Sequence, residues 1–123
     1  MSVVKTVRNG SFFAEIAILG LGGHSSVPFR THNPVIAGFE LIHTVNTRVW
    51  FEFDSFDNVT LYPVSFNAGT KENIIPEEAE LKYYGAFADE VQEQHLKDVL
   101  VSSLEAIKNL YKVDYRISYE GGK

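Results

Sequence analysis

Two short stretches of this chain hold side chains that could do chemistry and are not needed to fill a core. The first is Gly20-Leu21-Gly22-Gly23-His24-Ser25-Ser26-Val27-Pro28. His24 carries an imidazole, which titrates near neutral pH unaided and can donate or accept a hydrogen bond. The glycines before it let the backbone take φ > 0 or come close to another group. The second is Gly69-Thr70-Lys71-Glu72-Asn73-Ile74-Ile75-Pro76. The Asn73 amide can donate and accept without adding charge. These two loops are read as carrying the function.

Neither loop holds a complete catalytic set. His24 and His32 flank one loop, but a metal site there needs further ligands, and no acid or further His lies at useful spacing. His43 and His95 fall on helical segments and read as boundary residues. Ser25 and Ser26 adjoin His24, yet triads are assembled across a fold, and no strand-to-helix nucleophile elbow is present. Glu77-Glu78 reads as a pair of solvated charges beside Pro76. Gly20-Leu21-Gly22-Gly23 lacks the lysine of a phosphate loop and does not run straight into a helix. The plain alternatives are a solvent-exposed loop histidine at 24 and an Asx-turn at Asn73.

The elements that must position these loops follow from patterning. The turn signal Asn9-Gly10 precedes a strand over Ser11–Leu19, with Ala14, Ile16 and Ile18 on one face. Asn33-Pro34 opens a helix, Asn as N-cap and Pro at the first position. Val35, Phe39, Ile42, Val45 and Val49 are read as its buried stripe, with Arg48 near its end. Trp50 to Asn58 reads as an aromatic and acidic connection. Val59–Phe66 is a strand, and Pro63 marks it as an edge or a bulge. Glu77–Phe87 is a third strand, Asp89 caps a second helix, and Val113 to Glu120 alternates as the last strand. Leu96, Val99, Leu100, Ser103, Ile107 and Leu110 are read as the second helix's buried stripe. The order β-α-β-β-α-β is the ferredoxin-like α+β arrangement: a four-stranded antiparallel sheet with two helices on one face.

Composition bounds the function. The 123 residues, 45% hydrophobic, suit a single globular domain over 1–123. A net charge of -5 argues against a nucleic-acid surface and against anionic membranes. There is no cysteine, which excludes thiolate nucleophiles and Cys-type zinc sites. No signal-type h-region follows Met1 and no run approaches a membrane span, so a cytoplasmic location is expected.

Taken together, Gly20 to Pro28, the Asn33-Pro34-Val35 helix start, and Gly69-Thr70 followed by Asn73-Ile74-Ile75-Pro76-Glu77, Ala79 and Leu81 resemble the dimerisation (lid) domain of the M20 zinc metallopeptidases. The aminoacylase, hippurate hydrolase and auxin-conjugate amidohydrolase branch is the most similar. The resemblance covers roughly residues 8–122 and implies the same βαββαβ fold. It implies a homodimer, and a missing catalytic domain of the same protein that holds two zinc ions and hydrolyses N-acyl amino acids or peptides. The polar start and the Gly121-Gly122-Lys123 end fit an excised insert that is inactive alone. The resemblance assigns His24 as a catalytic residue that donates to the carbonyl oxygen in the partner subunit's site, and Asn73 as a substrate-binding residue. It gives the glycines before His24 the task of close approach to another subunit. One departure stands out: an arginine that binds the substrate carboxylate in many members corresponds to Ala86 here. That leaves open a non-catalytic dimerisation module or a small-molecule-binding ferredoxin-like module.

Overall fold

The computed structural model describes residues 10–121. Asn9 of the expected turn lies outside the described residues, and Gly10 already opens a strand. The elements are β1 (Gly10–Leu19), β2 (Gly23–His24), α1 (Pro34–Glu52), β3 (Thr60–Ala68), β4 (Ile74–Ile75), β5 (Glu78–Phe87), α2 (Glu90–Tyr111) and β6 (Asp114–Gly121). A short 3-10 turn, Pro28–Arg30, precedes α1. The main sheet runs β3-β5-β1-β6, antiparallel throughout, and β2 with β4 forms a separate two-stranded ladder. The ferredoxin-like α+β fold read from the sequence is the fold observed.

Alternation explains the sheet. Phe12, Ala14, Ile16 and Ile18 on β1, with Ala79, Leu81, Tyr83 and Phe87 on β5, are buried in one core with Leu41 and Val45 of α1 and Leu96, Val99, Leu100 and Leu104 of α2. The opposite face carries Glu15, Lys82 and Arg116. Pro63 lies on the edge strand β3, and the pairing with β5 shifts register between Pro63 and Ser65. Both sequence signals for that proline are therefore met, since Pro has no N–H to give a ladder.

Both helices start as their caps dictate. Asn33 Oδ1 accepts from Val35 N at 2.9 Å, and Asp89 Oδ1 accepts from Gln92 N at 2.8 Å. Such caps contribute about 1 kcal/mol each. No helix among the described residues is long and apolar enough to cross a membrane.

The helices correct the sequence reading in three places. The buried stripe of α1 is Pro34, Ala37, Gly38, Leu41 and Val45, and Phe39 is 64% exposed. α1 has two apolar faces, so periodicity does not say which one meets the sheet. The small residues Ala37 and Gly38 decide it, because they let the helix lie close to the ring of Phe66. α1 also continues through Trp50 and Phe51, which were read as connection. On α2, Leu104 is buried and Leu110 is exposed, a rotation of the stripe toward the neighbouring turn.

Arg48 joins the two helices. Its Nη1 donates to Ser103 Oγ at 3.1 Å and Val99 O at 3.3 Å, while Nε and Nη2 pair with the Glu52 carboxylate. His95 Nε2 lies 3.0 Å from Glu52 Oε1, and its ring lies 4.1 Å from that of Phe53. The Arg48 guanidinium, and after it His95, holds the Glu52 carboxyl below the ordinary glutamate value. A depressed carboxylate stabilises the fold above its unfolded pKa, and that contribution is lost as pH falls through the folded value. Arg48→Ala strips a partner from Ser103, which is 1% exposed. We expect a loss of about 1–3 kcal/mol at neutral pH, read from urea midpoints. The gap from the unsubstituted chain should narrow once Glu52 is protonated; a gap that grows in acid would contradict the linkage.

Candidate functional site

The two loops singled out in the sequence are one structure. β2 and β4 pair antiparallel, Gly23 opposite Ile75 and His24 opposite Ile74, and Ser25 N donates to Asn73 O at 3.1 Å. His24 and Asn73 thus flank one short ladder at the end of the sheet where β1 stops and β5 begins. Residues Leu21 and His32 exchange two backbone hydrogen bonds, which close the loop before α1. Gly20 N donates to Glu77 O at 2.8 Å and ties the same loop to the start of β5.

Backbone proximity explains the glycines. A Cβ on Gly20 would lie 2.1 Å from His32 O, and one on Gly22 would lie 2.4 Å from Ile75 O. Real Cβ atoms do not come that close, so no other residue fits without moving main chain. The close contact at both positions is with main chain inside the domain.

His24 and Asn73 are both exposed. The Nδ1 of His24 accepts from Ser26 N at 3.1 Å. Among the described residues, His24 Nε2 and the Asn73 carboxamide have no hydrogen-bond partner. The Asx-turn reading of Asn73 is therefore not what its side chain does. Neither serine hydroxyl bonds the imidazole, so no Ser–His couple forms. The described residues contain no group of three or more His, Cys, Asp or Glu placed to hold a metal ion.

Ala86 lies on β5 between Ser11 and Thr60 and is fully buried. It follows the ladder by most of a strand, about 26 Å along β5 at ~3.3 Å per residue. One subunit therefore does not bring position 86 to the His24–Asn73 end. The pairing of the loops and the Ser26 contact escaped sequence reasoning. The β-branched pair Ile74-Ile75 is a strand signal, but two residues are too short a run to separate from a turn. A main-chain donor leaves no mark on composition at all.

Gly22→Ala tests the close approach. The ladder should open, with the Ser25 and His32 amides losing hydrogen-exchange protection while β1 and β5 keep theirs. Unchanged protection at Ser25 would show that Gly22 is not needed for the pairing.

Comparison with known proteins agrees with this architecture. The model of the peptidase dimerisation domain, M20_dimer, matches residues 6–112. The chain is 25% identical over 118 residues to a succinyl-diaminopimelate desuccinylase of Psychromonas ingrahamii, covering 94% of the chain and 30% of that protein. Among solved structures, an aminobenzoyl-glutamate utilization protein from Klebsiella pneumoniae superposes with a TM-score of 0.81 at 16% identity, over 94% of this chain and 28% of that one. A tripeptidase from Staphylococcus aureus gives 0.77 at 15% identity, over 91% and 29%. At such identities the structural likeness speaks for the fold. The chain spans under a third of the length of each of these proteins. With its matched residues running from before β1 into the end of α2, this chain belongs to the M20 peptidase dimerisation domain family.

Proposed function

We propose that residues 1–123 form the dimerisation and lid part of a longer metal-dependent amidohydrolase or peptidase that cleaves N-acyl amino acids or peptides. His24 and Asn73 of one subunit complete the substrate site on the catalytic domain of the other. The observation that carries this reading is the β2–β4 ladder, which sets both residues at one end, with His24 Nε2 and the Asn73 carboxamide unengaged among the described residues. The names of the relatives, a desuccinylase and a tripeptidase, support the hydrolytic part.

The chemistry follows from the donors. Attack on an amide carbonyl places negative charge on its oxygen. An N–H fixed in advance at that oxygen stabilises the transition state by about 3–4 kcal/mol. His24 supplies such a donor. Asn73 can hold a neighbouring polar group of the substrate without adding charge. Metal ions, which would polarise the carbonyl and supply the attacking water, would be held by the other domain. The described residues bring no serine hydroxyl onto the His24 ring and group no three acids or histidines as a metal site, which supports reading this chain as one part of a site completed by the other domain.

Self-association uses the edge strand β3 and the outer face of α1. Ile36, Phe39, His43 and Trp50 fall within one narrow face of α1, opposite the buried stripe. Trp50 is 84% exposed, and Tyr62 and Val64 on β3 are about half exposed. The outer face of α2 shows Gln94, Asp98, Ser102 and Glu105 with Val91 as its one large exposed apolar residue, and the β6 edge alternates charged residues, so both are more polar than the outer face of α1. A second copy is the occupant that the family's dimerisation role implies.

Two experiments on the longer protein check these statements. His24→Ala should lower kcat by about 10²–10³ with the dimer intact. Unchanged hydrolysis would favour the non-catalytic dimerisation module that the buried Ala86 is compatible with. Phe39→Glu should shift sedimentation toward monomer, whereas the same change at Gln94 should not. A dimer that survives Phe39→Glu would move the interface elsewhere.

A further inference from the structure

We propose that the main-chain N–H of Ser26 fixes the tautomer of His24, so that Ser26 is a positioning residue for the imidazole. An amide N–H only donates. Its contact with His24 Nδ1 at 3.1 Å therefore makes Nδ1 the acceptor. The neutral ring has one proton, and it is left on Nε2. Nε2 has no partner among the described residues and is the donor that the ring presents outward.

The Ser26 amide is held where it can do this. Ser25 N donates to Asn73 O at 3.1 Å, and Val27 N donates back to His24 O at 3.1 Å. Arg30 N then donates to Val27 O at 3.0 Å. Three successive amides after His24 are thus engaged, the middle one on the ring itself. The ladder that carries Asn73 is the same one that anchors Ser25, so both side chains depend on one piece of backbone. In the other tautomer, Nε2 would turn a lone pair toward an approaching carbonyl oxygen, which repels it. This inference rests on the lid reading for its catalytic meaning, but the tautomer itself does not.

The test is long-range proton–nitrogen correlation on the nitrogen-15-labelled chain, with exposed His32, whose ring has no hydrogen-bond partner among the described residues, as internal reference. We expect His24 at neutral ring charge to show Nδ1 bare and Nε2 protonated, and His32 to show an averaged pattern. The reverse assignment, or an averaged pattern at His24 like that of His32, overturns the proposal. Ser26→Ala keeps the N–H and should leave the pattern unchanged. Ser26→Pro removes it and should give the averaged pattern, and in the longer enzyme should lower kcat by about 10- to 100-fold with little change in KM. Should Ser26→Pro not fold, the pattern of the unsubstituted chain still decides. A locked Nε2 proton alongside full activity in His24→Ala would sink the lid reading and leave the tautomer assignment standing.

Discussion

The end of this domain that carries His24 and Asn73 depends on main chain meeting main chain at Gly20 and Gly22. At both points another segment's carbonyl oxygen occupies the space where a side chain would begin. That closeness lets β1 run on past its last sheet residue into a bridge with His32 and a ladder with Ile74-Ile75. Without it, His24 and Asn73 would belong to two independent loops, each paying its own ordering entropy when a ligand arrived. With it, they share a hydrogen-bonded frame before any ligand is present. Preorganisation of this kind is what separates a donor that stabilises a transition state from one that must first be collected.

The fold was legible because its signals agree across levels. Alternation on β1 and β5, a Pro at an edge, and Asn and Asp caps all point to one topology, and the structure realises each of them. Legibility failed where a residue serves a face the sequence cannot choose. Phe39 and Ala37 are both apolar to a periodicity count. Only the proximity of Phe66 tells which one turns inward. At the site, residue types were readable and their mutual placement was not. His24 and Asn73 stood out by chemistry, but a two-residue ladder between segments fifty residues apart leaves too short a pattern to read. The Ser26 amide had no sequence signal, because every residue other than proline carries one.

The two helices divide their labour. α2 buries one apolar stripe, leaves Val91 and Leu110 exposed, and is held to α1 by Arg48 as well as by packing. α1 has an apolar side for the core and another for the outside, which is why it misled the stripe assignment. A domain that leaves Phe39 and Trp50 exposed beside an edge strand has an apolar patch of the kind that marks an interaction site. The glutamate-centred cluster of Arg48, Glu52 and His95 ties this outward-facing helix to the rest of the domain.

Phe12 on β1 pairs with Gly121 at the end of β6, so the strands by which the chain enters and leaves the described fold lie side by side. They do so at the end of the sheet remote from His24. The length of β1, about 33 Å for a ten-residue strand, separates the two ends as a lever arm would. A rotation of about 10° about the paired ends would sweep the imidazole through about 6 Å by that length. The pairing of β1 with β5 over all ten of its residues would carry such a rotation along the sheet. A small angular change at the base would become a displacement of several ångströms at the tip.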